Sequence, residues 1–401
     1  MASTSDVVVV GGGVVGTSIA FHLARLGAGT VTLLERAPQV AAGATGRSGA
    51  LVRTHYTNAP EAAMAWAALP WFERWGERVG GHCGFVRTGF LQLVHAEDTD
   101  LLRENVAMLQ GLGIDTRLVD AAEARRLEPA LAIADDEFAA YEPRSGYADP
   151  VATTQSLAAA AEELGVRVRV GVPARGLIRR GSRITGVTTP RDAITAGTVV
   201  MANGCWSVPM LAQVGLHLPI EAHRAQRAVV ERPPRLRGMT GHRTVIDRRT
   251  GVYTRPHGAD GTLVGLSRAG TRIDGPDGVE VEPGFPELAR DRLAGTFPAF
   301  TNASVLFGKA GPLDVTPDRC ALIGPADGLD GLVLAVGMSG SGFKKAPAIG
   351  ACVAELITTG RSQTAPLEPF SPARFTRGAA VERRDYRVGE DGDETRDALV
   401  H

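Results

Sequence analysis

Residues 6–35 read DVVVVGGGVVGTSIAFHLARLGAGTVTLLE, and this stretch decides the fold. Asp6 to Val10 is a short apolar run rich in valine, the pattern of a buried strand. Gly11, Gly12, Gly13 and Gly16 follow at once, and the pattern then turns helical as far as Leu26, where Gly27 and Gly29 stop it. A second apolar strand, 31–34, ends on Glu35. Strand, glycine turn, helix and strand in succession predict a right-handed βαβ unit on a parallel sheet. In that context the spacing Gly11-x-Gly13-x-x-Gly16 has a mechanical meaning. Gly11 permits the tight turn, Gly13 lets the backbone approach a pyrophosphate, and Gly16 allows the helix to pack closely on the strand. The N–H groups at the helix N-terminus, around Val14 and Val15, would meet the phosphates. Glu35, acceptor-only when ionised, would take the ribose hydroxyls, with Arg36 beside it. The motif alone does not separate NAD from FAD.

The chain has 401 residues, 43 Lys+Arg against 44 Asp+Glu, and 44% hydrophobic residues. This balance predicts two domains or one large composite α/β unit, and excludes collagen-like, disordered and disulfide-stapled classes. A net charge of -1 supplies no long-range field for a phosphate backbone, so no nucleic-acid partner is expected. No apolar run reaches membrane-spanning length, and MASTSD lacks the features of a secretory signal, so a soluble cytoplasmic protein is expected. Cys83, Cys205, Cys320 and Cys352 form no CxxC pair and read as reduced core thiols, with no metal site. The lysines are Lys309, Lys344 and Lys345 only, so a lysine pair in a Gly-rich stretch invites a specific reading.

Further along, 43–58 is a Gly-rich loop leading into a helix, 85–95 alternates like strands, and 101–112 and 121–127 have helical periodicity. A helix over 153–164, a strand over 166–170, a hairpin over 177–187 and a buried strand over 198–202 return the chain to an α/β sheet. The middle third, 221–310, alternates and turns often, as a separate antiparallel layer would. GLVLAVG from 331 then runs into SGSGFKKAPAIGACVAELI, another Gly-rich turn opening an apolar helix. Of the last 21 residues 11 are charged, which predicts a solvated or disordered tail over 378–401.

Five ordered segments carry a resemblance: DVVVVGGGVVGTSIAFHLARLG, ATGRSGALVRTHY, VVMANGCWS, LDVTPDRCALIG and GMSGSGFKKAPAIG. Together they resemble the FAD-dependent D-amino acid oxidase superfamily, in its sarcosine oxidase, dimethylglycine dehydrogenase and glycine oxidase branch, over residues 5 to about 360. The resemblance implies an α/β protein in which a Rossmann-type FAD-binding domain (1–84, 148–220, 314–365) interleaves with an antiparallel-sheet substrate domain (85–147, 221–313). Residues 366–401 would form a C-terminal extension and polar tail. It implies FAD contacts at Arg47, Ser48, Ala202, Gly204, Trp206, Gly340, Gly342, Phe343 and Lys344. The positions aligned with the family's covalent attachment points hold Gly311 and Arg47, so the flavin is expected to be noncovalent.

An amine-oxidising flavoenzyme must aim the substrate C–H at the flavin and keep the nitrogen neutral, so anchoring matters more than acid or base strength. Arg53 matches the family's carboxylate-binding arginine and Lys344 its second cation. A solvated arginine and a helix-capping lysine are the competing readings. Tyr56 and Tyr253 are candidates either to line the site with hydroxyls or to pack in the core. The histidines form no catalytic pattern. A lysine that activates oxygen in monomeric sarcosine oxidases is replaced here by Leu263, leaving O2 or another electron acceptor open. The sequence therefore predicts dehydrogenation of a secondary or N-methyl amino acid to an imine. A D-amino acid, glycine or a cyclic imino acid is the alternative substrate. A flavin-binding subunit of a hetero-oligomer is the alternative of another class, and a homo-oligomer is also open.

Overall fold

Val7–Val10 forms the centre of the first sheet in a computed structural model that describes residues 3–238, 241–267 and 270–389. The strand Ser3–Val10 pairs in parallel with Ala193–Met201 on one side and Val31–Leu34 on the other. Beyond the former come Leu332–Val336, parallel, and Leu322–Pro325, antiparallel; beyond the latter comes Arg167–Arg169. The expected hairpin, Gly176–Arg180 with Arg183–Thr188, attaches along Ala193–Met201. A parallel strand covered on both faces must be apolar throughout. Val7 and Val9 accordingly join one core with the helices Val14–Arg25, Pro150–Glu163 and Gly342–Thr359, while Val8 and Val10 join another with Met210 and Leu211. The first and last of these helices cross closely. Ser18 Oγ donates to Ala346 O at 2.8 Å, and a Cβ on Gly350 would lie 2.2 Å from that hydroxyl.

The second sheet runs in the order Val305–Val315, Glu221–Glu231, Gly261–Leu266, Val252–His257, Thr244–Asp247, Phe90–Leu93, Phe138–Glu142, Arg117–Asp120. Neighbours are antiparallel except Thr244–Asp247 with Phe90–Leu93. The sheet draws on both the 85–147 segment and the middle third, so the chain passes back and forth between two sheets. One face packs under the helix Phe285–Thr296 through Leu293, Ala228, Val230 and Val264. The other carries Leu51, Phe90, Val229, Ile246, Tyr253 and Leu263. The Gly-rich loop leads to the helix Ala59–Glu73, whose cap Asn58 accepts from Glu61 N at 2.9 Å.

The expectation for the tail is corrected. Residues 379–389 form a strap docked on the protein. Val381 N donates to Asp318 Oδ2 (3.0 Å), Arg387 N to Asp98 Oδ2 (2.7 Å) and Gly389 N to Arg248 O (3.0 Å). Tyr386 is buried, its hydroxyl bonded to His55 Nε2 (2.9 Å) and Asn105 Nδ2 (2.8 Å). The charges that suggested solvation pair internally, as Arg383 does with Asp385 at 2.8 Å. The rest of the expected tail, 390–401, lies outside the described residues. Among the described residues no helix is long and apolar enough to cross a membrane, no group of His, Cys, Asp and Glu could hold a metal, and the four cysteines are free and buried.

Candidate active site

A cavity of about 760 Å³ is lined by the carboxyl ends of the parallel strands, at Val10 and Leu34, and by the second sheet, at Ala225, Arg227 and Tyr253. Ligands collect at such strand ends in open α/β sheets. Gly11 has φ +116° and sits so close to the next strand that a Cβ would lie 2.6 Å from Ala202 O. A Cβ on Gly16 would lie 1.9 Å from Gly11 O, so this glycine serves the packing of helix on turn and does not line the cavity. Gly13, the residue before the helix, would meet only Thr45 Oγ1, at 3.1 Å, and it does line the cavity. Glu35 is held in place before any ligand arrives: Oε2 accepts from Gly12 N (2.8 Å) and Oε1 from Ala37 N (2.7 Å). Each oxygen keeps a lone pair for a ribose hydroxyl. Asn203 Oδ1, also in this wall, is buried with no hydrogen-bond partner among the described residues. Glycine approach, poised carboxylate and orphaned acceptor fit an extended dinucleotide.

Val14, Val15, Ala202 and Gly204 line the same cavity. Arg36 and Trp206 do so as part of a clasp that the sequence did not reveal. The Arg36 guanidinium stacks 4.3 Å over the Trp206 ring, and both side chains bond Asp277 Oδ1, from Nη2 at 2.5 Å and Nε1 at 3.0 Å. Asp314 was also missed, although it stands in the LDVTPDRC segment. Its buried Oδ2 accepts from Gly337 N (2.6 Å) and Met338 N (3.1 Å), tying the second sheet to the turn before the last helix. Burial pushes this carboxyl up, against those backbone bonds.

Arg47, Ser48, Gly340, Gly342 and Phe343 line the same cavity. Arg47 donates to Ala42 O and Gly43 O, and its stem packs on Gly311, where a Cβ would lie 2.5 Å from Arg47 Cδ. The two positions aligned with covalent attachment therefore touch each other. Tyr253 also lines the cavity, whereas Arg53, Tyr56 and Lys344 are not among its lining residues.

Those three instead form a buried group one layer away. Tyr56 is its hub: Arg53 stacks at 4.5 Å from the ring centre, Lys345 lies at 5.5 Å and Lys344 at 6.0 Å. Arg53 also donates to His55 O and lies 5.7 Å over Phe90, which belongs to the same apolar cluster as Tyr253. Lys345 is paired with Glu61 at 2.5 Å. Lys344, 3% exposed, has no ion-pair partner among the described residues. Burial, then Arg53 and Lys345, pull its ammonium well below the ordinary lysine range. Burial pushes the Tyr56 phenol up, and the same effect, with Arg53 and Arg248, lowers His55 to about 3, so His55 is neutral. The group is cation-rich and suited to an anion.

The family of FAD dependent oxidoreductases designated DAO matches residues 6–356. The chain is 28% identical over 388 residues to sarcosine oxidase subunit beta from Arthrobacter sp, across 94% of this chain and 92% of that one. It is 24% identical over 401 residues to mitochondrial dimethylglycine dehydrogenase from Rattus norvegicus, across 96% of this chain and 46% of that protein, so it spans less than half of that relative. L-proline dehydrogenase from P. horikoshii superposes with a TM-score of 0.88 at 29% identity, over 95% of this chain and 100% of that one. Glycine oxidase from Geobacillus kaustophilus does so at 0.80 and 25%, over 93% and 99%. With the fingerprint, the second sheet and most of the first sheet and last helix inside the matched span, the chain belongs to the DAO family of FAD-dependent oxidoreductases.

Proposed function

We propose that the chain oxidises the carbon beside the nitrogen of a secondary or N-methyl amino acid, the sarcosine-like class, to an imine that water hydrolyses. FAD, when bound, supplies the acceptor for the departing hydride. The observation that carries the substrate class is the cation group on Tyr56. Glu61 pairs with Lys345, whereas Lys344 has no ion-pair partner among the described residues and feels Glu61 only at longer range. A substrate carboxylate would take that place, with the Arg53 guanidinium stacked on the same Tyr56 ring as a second cation. A bound anion would favour the Lys344 charge, which burial and the neighbouring cations disfavour when it is unanswered. The cations also disfavour an ammonium on the substrate nitrogen, which must be neutral for its lone pair to assist hydride loss.

Anaerobic flavin reduction by a panel of amines tests this. Fast reduction by N-methyl amino acids, with a rate that rises with pH at a midpoint that follows the basicity of the amine, is the expected outcome. Faster reduction by proline, glycine or a D-amino acid would move the substrate within the same amine chemistry, and reduction by decarboxylated amines as well as by acids would remove the anchor. Relatives named as beta subunits bring a second reading, in which this chain works within a hetero-oligomer. The exposed Leu306 and Phe307 on the edge strand Val305–Val315 are the surface that supports it. Amine-driven reduction in the isolated chain would make such a partner dispensable for the chemistry.

A further inference from the structure

A guanidinium in the cavity wall has no ion-pair partner among the described residues. Arg227 is 5% exposed and lines the cavity, and its Nε and Nη1 are buried with no hydrogen-bond partner among the described residues. Strand register fixes where it points. Lys309, Arg227, Gly265, Tyr253 and Ile246 stand directly opposite one another across neighbouring strands, so their positions share one face of the second sheet. Gly265 is the gap in that row. A Cβ there would lie 2.2 Å from Tyr253 Cζ and 2.3 Å from its hydroxyl, so the phenol lies over the glycine that separates it from Arg227.

The neighbouring charges do not neutralise Arg227. Lys309 donates to Gly46 O at 3.1 Å and Arg255 to Gly49 O at 2.6 Å, and both are cations. Arg47 is a third, and it acts with burial to destabilise the charged guanidinium, against Tyr253. Keeping an unpaired cation out of water is costly unless something negative arrives. The pyrophosphate is assigned to the glycine turn on the opposite wall. A substrate carboxylate is assigned to Arg53 and Lys344.

We propose that Arg227, with the Tyr253 hydroxyl, is the counter-charge for the flavin after it is reduced. FAD, when bound, would take up two electrons and one proton as a hydride and so carry one more negative charge than before. Arg227, fixed in a wall of low dielectric, would favour that negative form over the neutral one. Arg227 thus holds the flavin at a higher midpoint potential. This inference rests on the flavin and not on the amine assigned above.

The test is a redox titration of the holoenzyme against a reference dye, without amine, for wild type, Arg227→Met and Arg227→Lys, with FAD affinity measured in both redox states. Arg227→Met should weaken reduced flavin about 10- to 100-fold more than oxidised flavin. The same change is a fall in midpoint potential of about 30 to 60 mV, at about 30 mV per tenfold for two electrons. Arg227→Lys should recover most of it, and Lys309→Met should leave the potential where it was. Equal weakening of both redox states, or an unchanged potential in Arg227→Met, overturns the inference. If Arg227→Met cannot hold FAD, the two affinities of Arg227→Lys decide: retention of the wild-type ratio supports it, and a ratio shifted as far as loss of charge predicts overturns it. An unchanged potential with weaker binding of carboxylate substrates would give Arg227 to the substrate instead.

Discussion

Lys344 and Lys345 are neighbours with different fates, because successive helix positions point about 100° apart. Lys345 meets Glu61, and replacing it with methionine would strand a buried carboxylate. The expected cost is about 3 to 5 kcal/mol of stability, read as a lower midpoint in denaturant; an unchanged midpoint would show the pair to be solvated. Lys344 is different, since burial and its cationic neighbours disfavour its charge and an anion would favour it. Lys344→Met should therefore weaken binding of a small carboxylate about 10- to 150-fold, read by calorimetry. Unchanged affinity in the variant would take the anchor away from Lys344. Arg53→Met should slow flavin reduction by an amino acid about 10- to 150-fold, while its amide changes little. Equal losses for both would indicate a disordered pocket.

Among elements, the strap 379–389 has a predicted consequence of its own. It ties Asp318 of the first-sheet side to Asp98 and Arg248 of the second, and it buries Tyr386 against His55. A chain ending at Gly378 should keep its FAD, because no strap residue lines the cavity, yet unfold at lower temperature and open the Arg53 group to water. Tyr386→Phe, which removes a hydroxyl serving both His55 and Asn105, should cost about 1 to 3 kcal/mol. Thermal melts with flavin fluorescence separate the two effects, and loss of flavin at the same temperature as wild type would count against this role. The difference between what was legible and what was not is physical. Gly11, Gly13 and Gly16 act within a few residues of one another, so their spacing carries their geometry. Arg53 and Lys344 were singled out by their motifs, but the motifs did not show that both lie on the Tyr56 ring and outside the cavity lining. The strap was hidden because Arg383 and Asp385 neutralise each other only once folded. Arg227 was hidden because nothing local marks a single arginine, and only its register with Gly265 and Tyr253 shows what it faces.

At the scale of the whole molecule, three buried histidines should make the protein sensitive to acid. His22, His55 and His242 are each lowered from 6.5 to about 3, first by burial. The unfolded chain protonates them near pH 6.5 and the folded protein does not, so stability falls as pH drops from about 6.5 towards 3. With all three contributing, the slope should approach about 4 kcal/mol per pH unit near pH 5. Denaturant titrations from pH 7 to 5 check this, and a flat profile would mean that the histidines are hydrated. Distance along the chain sets another condition, on the timing of synthesis. Ser18 and Ala346, which share a hydrogen bond, are 328 residues apart. At roughly 5 to 20 residues per second, the first helix waits roughly 15 to 65 s for the segment that covers it. The glycine turn is translated well before the helix that supports it. A nascent chain is therefore expected to be colourless until that helix has been made, and cofactor loading waits for it.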